Sequence, residues 1–239
     1  MVDYDLTLLS WGLEMGYILP EIYESLCQEH DRELPKVFVE TGTFMGGIPH
    51  RVMETYGDLK PFDKWYTIEL GKEICQVASH RYGLFESNDC DVSKFNPHED
   101  KKDLTFDNEK YFFDNKLKLI CGDSSVKLKE ILLEIDEPVC FWLDAHAGAS
   151  KYASGDVDVP LLKELEVISN HHIKNHVIGI DDAHLFGKGQ IDKNGNKICD
   201  YTEVTSELVF EWISKIRNNF DVGIYKPYHM EMILAIWEF

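Results

Sequence analysis

Short blocks in which nearly every position is apolar alternate along the chain with stretches in which apolar residues return every three or four positions. The blocks are 36–40 (KVFVE), 64–70 (KWYTIEL), 117–121 (LKLIC), 138–144 (PVCFWLD), 176–182 (HVIGIDD), 220–225 (FDVGIY) and 230–239 (MEMILAIWEF). Being short and apolar at almost every position, they predict strands buried on both faces, as in a parallel sheet. Helical spacing joins Ile74, Val77 and Ala78; Leu128, Ile131, Leu132 and Ile135; Leu161, Leu162, Leu165 and Ile168; and Val204, Leu208, Trp212 and Ile216. Each set forms one apolar stripe, enough to cover a sheet face.

Strand and helix in alternation predict βαβ units. The last two blocks are separated only by Lys226–His229, too short for a crossover helix, so they pair as an antiparallel hairpin. The predicted fold is α/β: a seven-stranded, mostly parallel sheet over residues 36–239 with an antiparallel C-terminal hairpin and helices on both faces. Residues 1–35 read as an N-terminal helical cap of two short helices broken at Pro20, and 87–116 as a polar insertion; both are candidate lids or oligomer contacts. Ser124 or Ser125 is placed to cap the helix after the third strand, and Asp158 with Pro160 to start the one after the fourth.

Charge narrows the partners. With 43 Asp and Glu against 24 Lys and Arg, the net charge of −19 repels phosphate backbones and anionic lipid, so neither nucleic acid nor membrane is expected. The N-terminus is acidic where a signal peptide is basic, and no run reaches the roughly 18 apolar residues of a membrane span. The six cysteines contain no CxxC pair and read as reduced thiols, which with the rest predicts a cytoplasmic protein.

The chemistry gathers at strand ends. In VFVETGTFMGGI (37–48) a strand ends at Glu40 and passes through Gly42 and Thr43 to Gly46 and Gly47, a turn that lets backbone approach a ligand. Neither GxGxxG nor GxxxxGK[ST] is present, which disfavours a dinucleotide or a nucleoside triphosphate and leaves a nucleoside-like ligand. Glu69 ends the second strand, where a carboxylate can accept both hydroxyls of a ribose. Asp123 and Ser124 follow the third strand. Asp144 and His146 follow the fourth, and Asp181, Asp182 and His184 the fifth, so three carboxylates converge where a hard cation can bind.

These residues together resemble the S-adenosylmethionine (SAM)-binding face of the Rossmann-like class I methyltransferases. The ETG turn followed by GG, with WLDAHAG and IGIDDAHLF, is similar to the metal-dependent group related to macrocin O-methyltransferase and cephalosporin hydroxylase-like proteins. The resemblance covers roughly residues 36–239 by the strand alternation. It implies SAM held by Glu40, Gly42, Thr43, Gly46, Glu69, Asp123 and Ser124, and Mg2+ on Asp144, Asp181 and Asp182. The implied reaction is methyl transfer to an oxygen of a small hydroxylated acceptor, a sugar or sugar-like molecule by resemblance. The group carries an Asp two residues beyond its first metal ligand where this chain has His146, so His146 is the first candidate base and His184 the second.

Two other readings start from the same residues. WLDAHAG also resembles the metal-ligand motif of arginase-like hydrolases, whose further Asp is replaced here by Gly148. A SAM-binding module without catalysis is the other. Residues 192–203 (DKNGNKICDYTE) space oxygen side chains as a calcium-binding loop does, yet Lys197 stands where that loop needs glycine; a hairpin turning at Asn194-Gly195, with Ile191 facing Ile198, is preferred.

Overall fold

The computed structural model describes residues 20–44, 48, 61–72, 74–75, 78, 110–113, 116–147, 155–191, 194–225 and 232–236. Its elements in chain order are α1 (Pro20–Glu29), β1 (Val37–Thr41), β2 (Lys64–Glu69), β3 (Lys110–Phe113), β4 (Leu117–Cys121), α2 (Ser124–Leu132) and β5 (Val139–Leu143). They continue with α3 (Leu161–Ser169), β6 (Val177–Ile180), β7 (Gly189–Ile191), β8 (Lys197–Asp200), α4 (Ser206–Ile216), β9 (Asp221–Tyr225) and β10 (Met232–Ile236).

One eight-stranded sheet runs in the order β3-β4-β2-β1-β5-β6-β10-β9. The five central strands β4, β2, β1, β5 and β6 are parallel; β3 and β10 run against them, and β9, paired antiparallel to β10, runs with them. All seven predicted strands form; the expected count of seven is corrected to eight because Lys110–Phe113, read from sequence as insertion, pairs antiparallel to β4. Polar composition across 87–116 concealed that strand. Residues 87–109, 1–19 and Gly46 lie outside the described residues.

Alternate residues of the central strands enter opposite cores. Val37 and Val39 of β1 with Val139, Phe141 and Leu143 of β5 face α2, α3 and α4, while Phe38, Cys140 and Trp142 face the other way. This two-sided burial is why the strands read as continuously apolar. On the second face Tyr23 of α1 is fully buried, meets Phe38 edge to face at 5.8 Å and donates its hydroxyl to the Phe141 carbonyl at 2.7 Å. Gly179 makes room: a Cβ there would lie 2.6 Å from the Tyr23 hydroxyl and 2.7 Å from the Trp142 ring. Residues 20–29 of the expected cap are thus a core layer, with Ile22, Leu26 and Cys27 in the same cluster.

Local punctuation departs from expectation in two places. Asp123, not Ser124 or Ser125, caps α2, its carboxylate accepting the Ser125 amide at 2.9 Å. Pro160 itself occupies the cap position of α3 without a side-chain bond, and Asp158 pairs instead with Lys197 at 3.1 Å. The expectation of six reduced thiols is also corrected: Cys75 and Cys121 are joined as a disulfide between the segment after β2 and the end of β4. Cys27, Cys140 and Cys199 are free and buried. Spacing alone could not pair residues 46 apart. Among the described residues no helix is long and apolar enough to cross a membrane.

A histidine pair anchors the start of β5. The Val139 amide donates to His176 Nδ1 at 3.1 Å, so Nε2 of that ring carries the hydrogen and donates to His171 Nδ1 at 3.0 Å; His171 Nε2 in turn donates to the Ile135 carbonyl at 3.0 Å. The chain closes only with both rings neutral. Burial, followed by the neighbouring His171, depresses His176 from 6.5 to about 3. A depressed histidine stabilises fully above the unfolded pKa and loses that contribution as pH falls toward the folded one. Burial drives Glu40 and Glu164 the other way, up to about 7, so their contribution fades as pH rises. The stability gap between the protein and its His176→Gln variant isolates the first effect. It should narrow between pH 6.5 and 5 by about 2 kcal/mol, at about 1.4 kcal/mol per pH unit, in denaturant titrations; a constant gap would show that the ring is not held neutral.

Candidate functional site

The parallel strands deliver their polar ends to one edge. Backbone bonds carry the ladder past the strands: Gly42 N–H to the Ile68 carbonyl (2.9 Å), Gly122 N–H to Glu69 (2.8 Å), Asp144 N–H to Thr41 (3.1 Å) and Asp181 N–H to Leu143 (3.1 Å). Between β1 and β5 the strand order reverses direction, the place where open α/β sheets leave a crevice. A cavity of about 340 Å³ occupies it, within the range of small-molecule sites.

Gly42, Glu69, Asp123, Ser124, Asp144 and His146 line this cavity. Gly42 has φ +82°, and a Cβ on it would lie 2.4 Å from the Asp144 carbonyl oxygen, so only glycine lets β1 turn against the end of β5. Glu69 Oε2 accepts the amide of Phe44, itself at φ +48°, and Oε1 accepts that of Gly71, both at 2.8 Å. This one carboxylate holds the glycine-rich turn and the loop after β2 to a common frame, with a lone pair remaining on each oxygen. Burial raises the Glu69 pKa, partly offset by those two amides. Asp123 spends Oδ1 on the α2 cap, while Oδ2 lies beside Gly155 at the pocket wall.

Glu40 and Thr43 do not line the cavity. Both are buried beneath it and linked through Thr67, whose hydroxyl donates to Glu40 at 2.6 Å and contacts Thr43 Oγ1. They brace the turn from below.

The metal-type residues assemble differently from the expected trio. Asp144, His146 and Asp182 each place one ligand atom within 4.8 Å of the others. Asp181 does not join them: its Oδ1 accepts the Asp182 amide at 2.8 Å and its side chain is buried. Asp182 has φ +55°, the left-handed conformation that short polar side chains tolerate, and its carboxylate lies against His146. His146 Nε2 lies 3.4 Å from Asp182 Oδ2 and 3.8 Å from Asp144 Oδ1. His184 is half-buried, with Nδ1 at 3.8 Å from Asp182 Oδ1 and no hydrogen-bond partner.

Charges of one sign crowd here. Burial and then the Asp181 and Asp182 carboxylates push Asp144 well above the usual carboxylate range, and burial with Asp182 lifts Asp181 to about 7. For His146, burial opposes the charged ring, but Cys199, the Ala147 carbonyl and Asp182 outweigh it and raise the group to about 9. The edge is built to hold positive charge.

Two contributors were not legible in sequence. Tyr201, 3% exposed, donates its hydroxyl to Asp182 Oδ2 at 3.2 Å, and buried Cys199 neighbours His146. Both come from the predicted hairpin, now β7–β8, whose register sets Ile191 opposite Lys197 and Gln190 opposite Cys199 through an irregularity, rather than Ile191 opposite Ile198. The only available signal was the hairpin's position directly after the Asp-Asp strand.

No protein-family model matches the sequence, and no curated protein matches it significantly. Solved structures do match. An O-methyltransferase from Bacillus cereus, in complex with SAH, superposes with a TM-score of 0.52 at 12% identity, over 92% of this chain and 82% of that one. A Staphylococcus aureus structure assigned as a caffeoyl-CoA O-methyltransferase does so with a TM-score of 0.50 at 13% identity, over 98% and 93%. The chain therefore has the α/β fold of the class I methyltransferases.

Proposed function

We propose that the protein is a SAM-dependent methyltransferase that methylates an oxygen of a small hydroxylated acceptor, sugar-like by resemblance, at a divalent-cation site. The observation that carries the reading is the juxtaposition of the nucleoside-sized cavity, walled by Gly42, Glu69 and Asp123, with the Asp144–His146–Asp182 cluster on its rim.

The residues suit both groups. Glu69 keeps acceptor lone pairs for a ribose diol, and Asp123 Oδ2 can take the amino group of an adenine. Ligand atoms within 4.8 Å of one another match the spread around one cation at roughly 2.0–2.6 Å. Bound SAM supplies an electrophilic methyl on a sulfonium, and a bound cation supplies Lewis acidity toward the acceptor hydroxyl.

The chain supplies the rest. Glu69 and the turn at Gly42 fix the nucleoside, so the reacting carbon is presented toward the β5 and β6 edge. Asp144 and Asp182 would hold the cation beside the acceptor hydroxyl, and the transfer would need no protein nucleophile. An imidazole beside the cluster would take the hydroxyl proton; the two candidates are His184, whose Nδ1 has no hydrogen-bond partner, and His146 once its own proton has left. The crowded carboxylates also favour the cationic cofactor over its neutral product, which assists release.

Calorimetric titration with SAH separates the two halves of the site. Glu69→Ala, which strands two amides and removes the diol acceptor, should weaken SAH at least about tenfold, given about 1.5–3 kcal/mol for a hydrogen bond to a charged group. Asp182→Ala should leave SAH affinity within about twofold and abolish SAH release with any acceptor that is turned over. Equal weakening by both substitutions would refute two separate sites. Chelation of divalent cations should likewise stop turnover while SAH still binds; full activity in chelator would remove the cation from the mechanism.

A further inference from the structure

Resting on the reading of this edge as a cation site, we infer that His146 is itself a metal ligand through Nε2. With Asp144 and Asp182 it forms a one-imidazole, two-carboxylate site that takes a first-row transition cation of the Mn2+ class in preference to Mg2+.

The tautomer argument comes first. His146 Nδ1 lies 2.9 Å from the Ala147 carbonyl oxygen, which can only accept, so Nδ1 carries the hydrogen. In the neutral ring Nε2 then holds the lone pair. That nitrogen points at Asp182 Oδ2 (3.4 Å) and Asp144 Oδ1 (3.8 Å), both of them acceptors. Three electron-rich atoms facing one another hold a cation between them, the proton on Nε2 in the metal-free chain or a metal ion that displaces it. A ring nitrogen fixed by a backbone carbonyl while the other faces the ion is the usual support for a ligating histidine.

The rest of the cluster is braced for the same task. Tyr201 holds Asp182 Oδ2 from behind at 3.2 Å, and Asp181 Oδ1 ties the Asp182 amide at 2.8 Å, so the second carboxylate of the pair serves as a support. Asp144 and His146 also line the cavity, which leaves the open side of the cation facing the bound reactants. An all-oxygen set is what Mg2+ favours, because it keeps octahedral geometry and most of its water; imidazole nitrogen suits the transition cations. A ring bound through Nε2 and hydrogen-bonded through Nδ1 has no site left to accept a proton, so His146 leaves the base role to another group.

The test uses the full chain with the metals alone. Mn2+ and Mg2+ are titrated by calorimetry, and the Mn2+ form is examined by pulsed electron paramagnetic resonance for coupling to 14N. Mn2+ should bind at unit stoichiometry at least tenfold more tightly than Mg2+ and show imidazole 14N coupling. His146→Gln should lose the coupling and most of the discrimination, whereas His184→Gln should keep both. Mn2+ bound without 14N coupling, coupling that disappears in His184→Gln, or equal affinity for the two cations would overturn the assignment of His146 and leave the cation site standing. No saturable binding of either cation by the wild-type chain would overturn the cation site itself. The coupling in wild-type protein decides the matter even where His146→Gln does not fold.

Discussion

The site is governed by repulsion among carboxylates that the fold forces together. Glu40, Glu69, Asp144, Glu164, Asp181 and Asp182 all arrive at or beneath the C-terminal edge of the parallel strands, and burial raises the pKa of most of them. Glu164 lies fully buried beside the Ser124 and Thr41 hydroxyls, and burial outweighs their contribution. Such groups tolerate a shared enclosure only by holding protons or by sharing a cation. In the proposed function the edge receives two positive charges, the sulfonium of the cofactor and the metal, and the strain of assembling the acids becomes affinity for both.

That assembly needs a scaffold that does not relax. Core on both faces of the central strands leaves no freedom to slide, and the tight packing of Tyr23 and Trp142 over Gly179 fixes β5 against β6, the strands that precede Asp144 and Asp182. Gly42 is pressed against the Asp144 carbonyl, so the turn after β1 and the acidic edge after β5 share one contact. Glu69 joins the remaining loops by spending both oxygens on backbone amides. The cavity and the acid–imidazole cluster are therefore parts of one rigid rim and share Asp144 and His146.

Much of this was readable from order and periodicity. A chain whose apolar blocks are too short for helices and too continuous for half-exposed strands has few architectures open to it, and acids that end successive parallel strands must meet at one edge. Glu69, Asp123, Asp144 and Asp182 were found that way. Lys110–Phe113 was not, because an edge strand paired with a single neighbour needs no apolar run and carries no pattern of its own. The Cys75–Cys121 link was equally silent, since it depends on the spatial adjacency of β2 and β4.

The sequence by itself determined the sheet, its crevice and the set of acids and imidazoles placed around it, because strand order and residue alternation are local properties that the chain must satisfy everywhere. Only the tertiary structure decided which of two adjacent aspartates lies against His146, which nitrogen of His146 faces the carboxylates, and that a tyrosine 19 residues beyond Asp182 would hold its carboxylate. Those choices turn on a single backbone dihedral and on hydrogen bonds between segments distant in sequence, and no pattern of residue types along one chain encodes them.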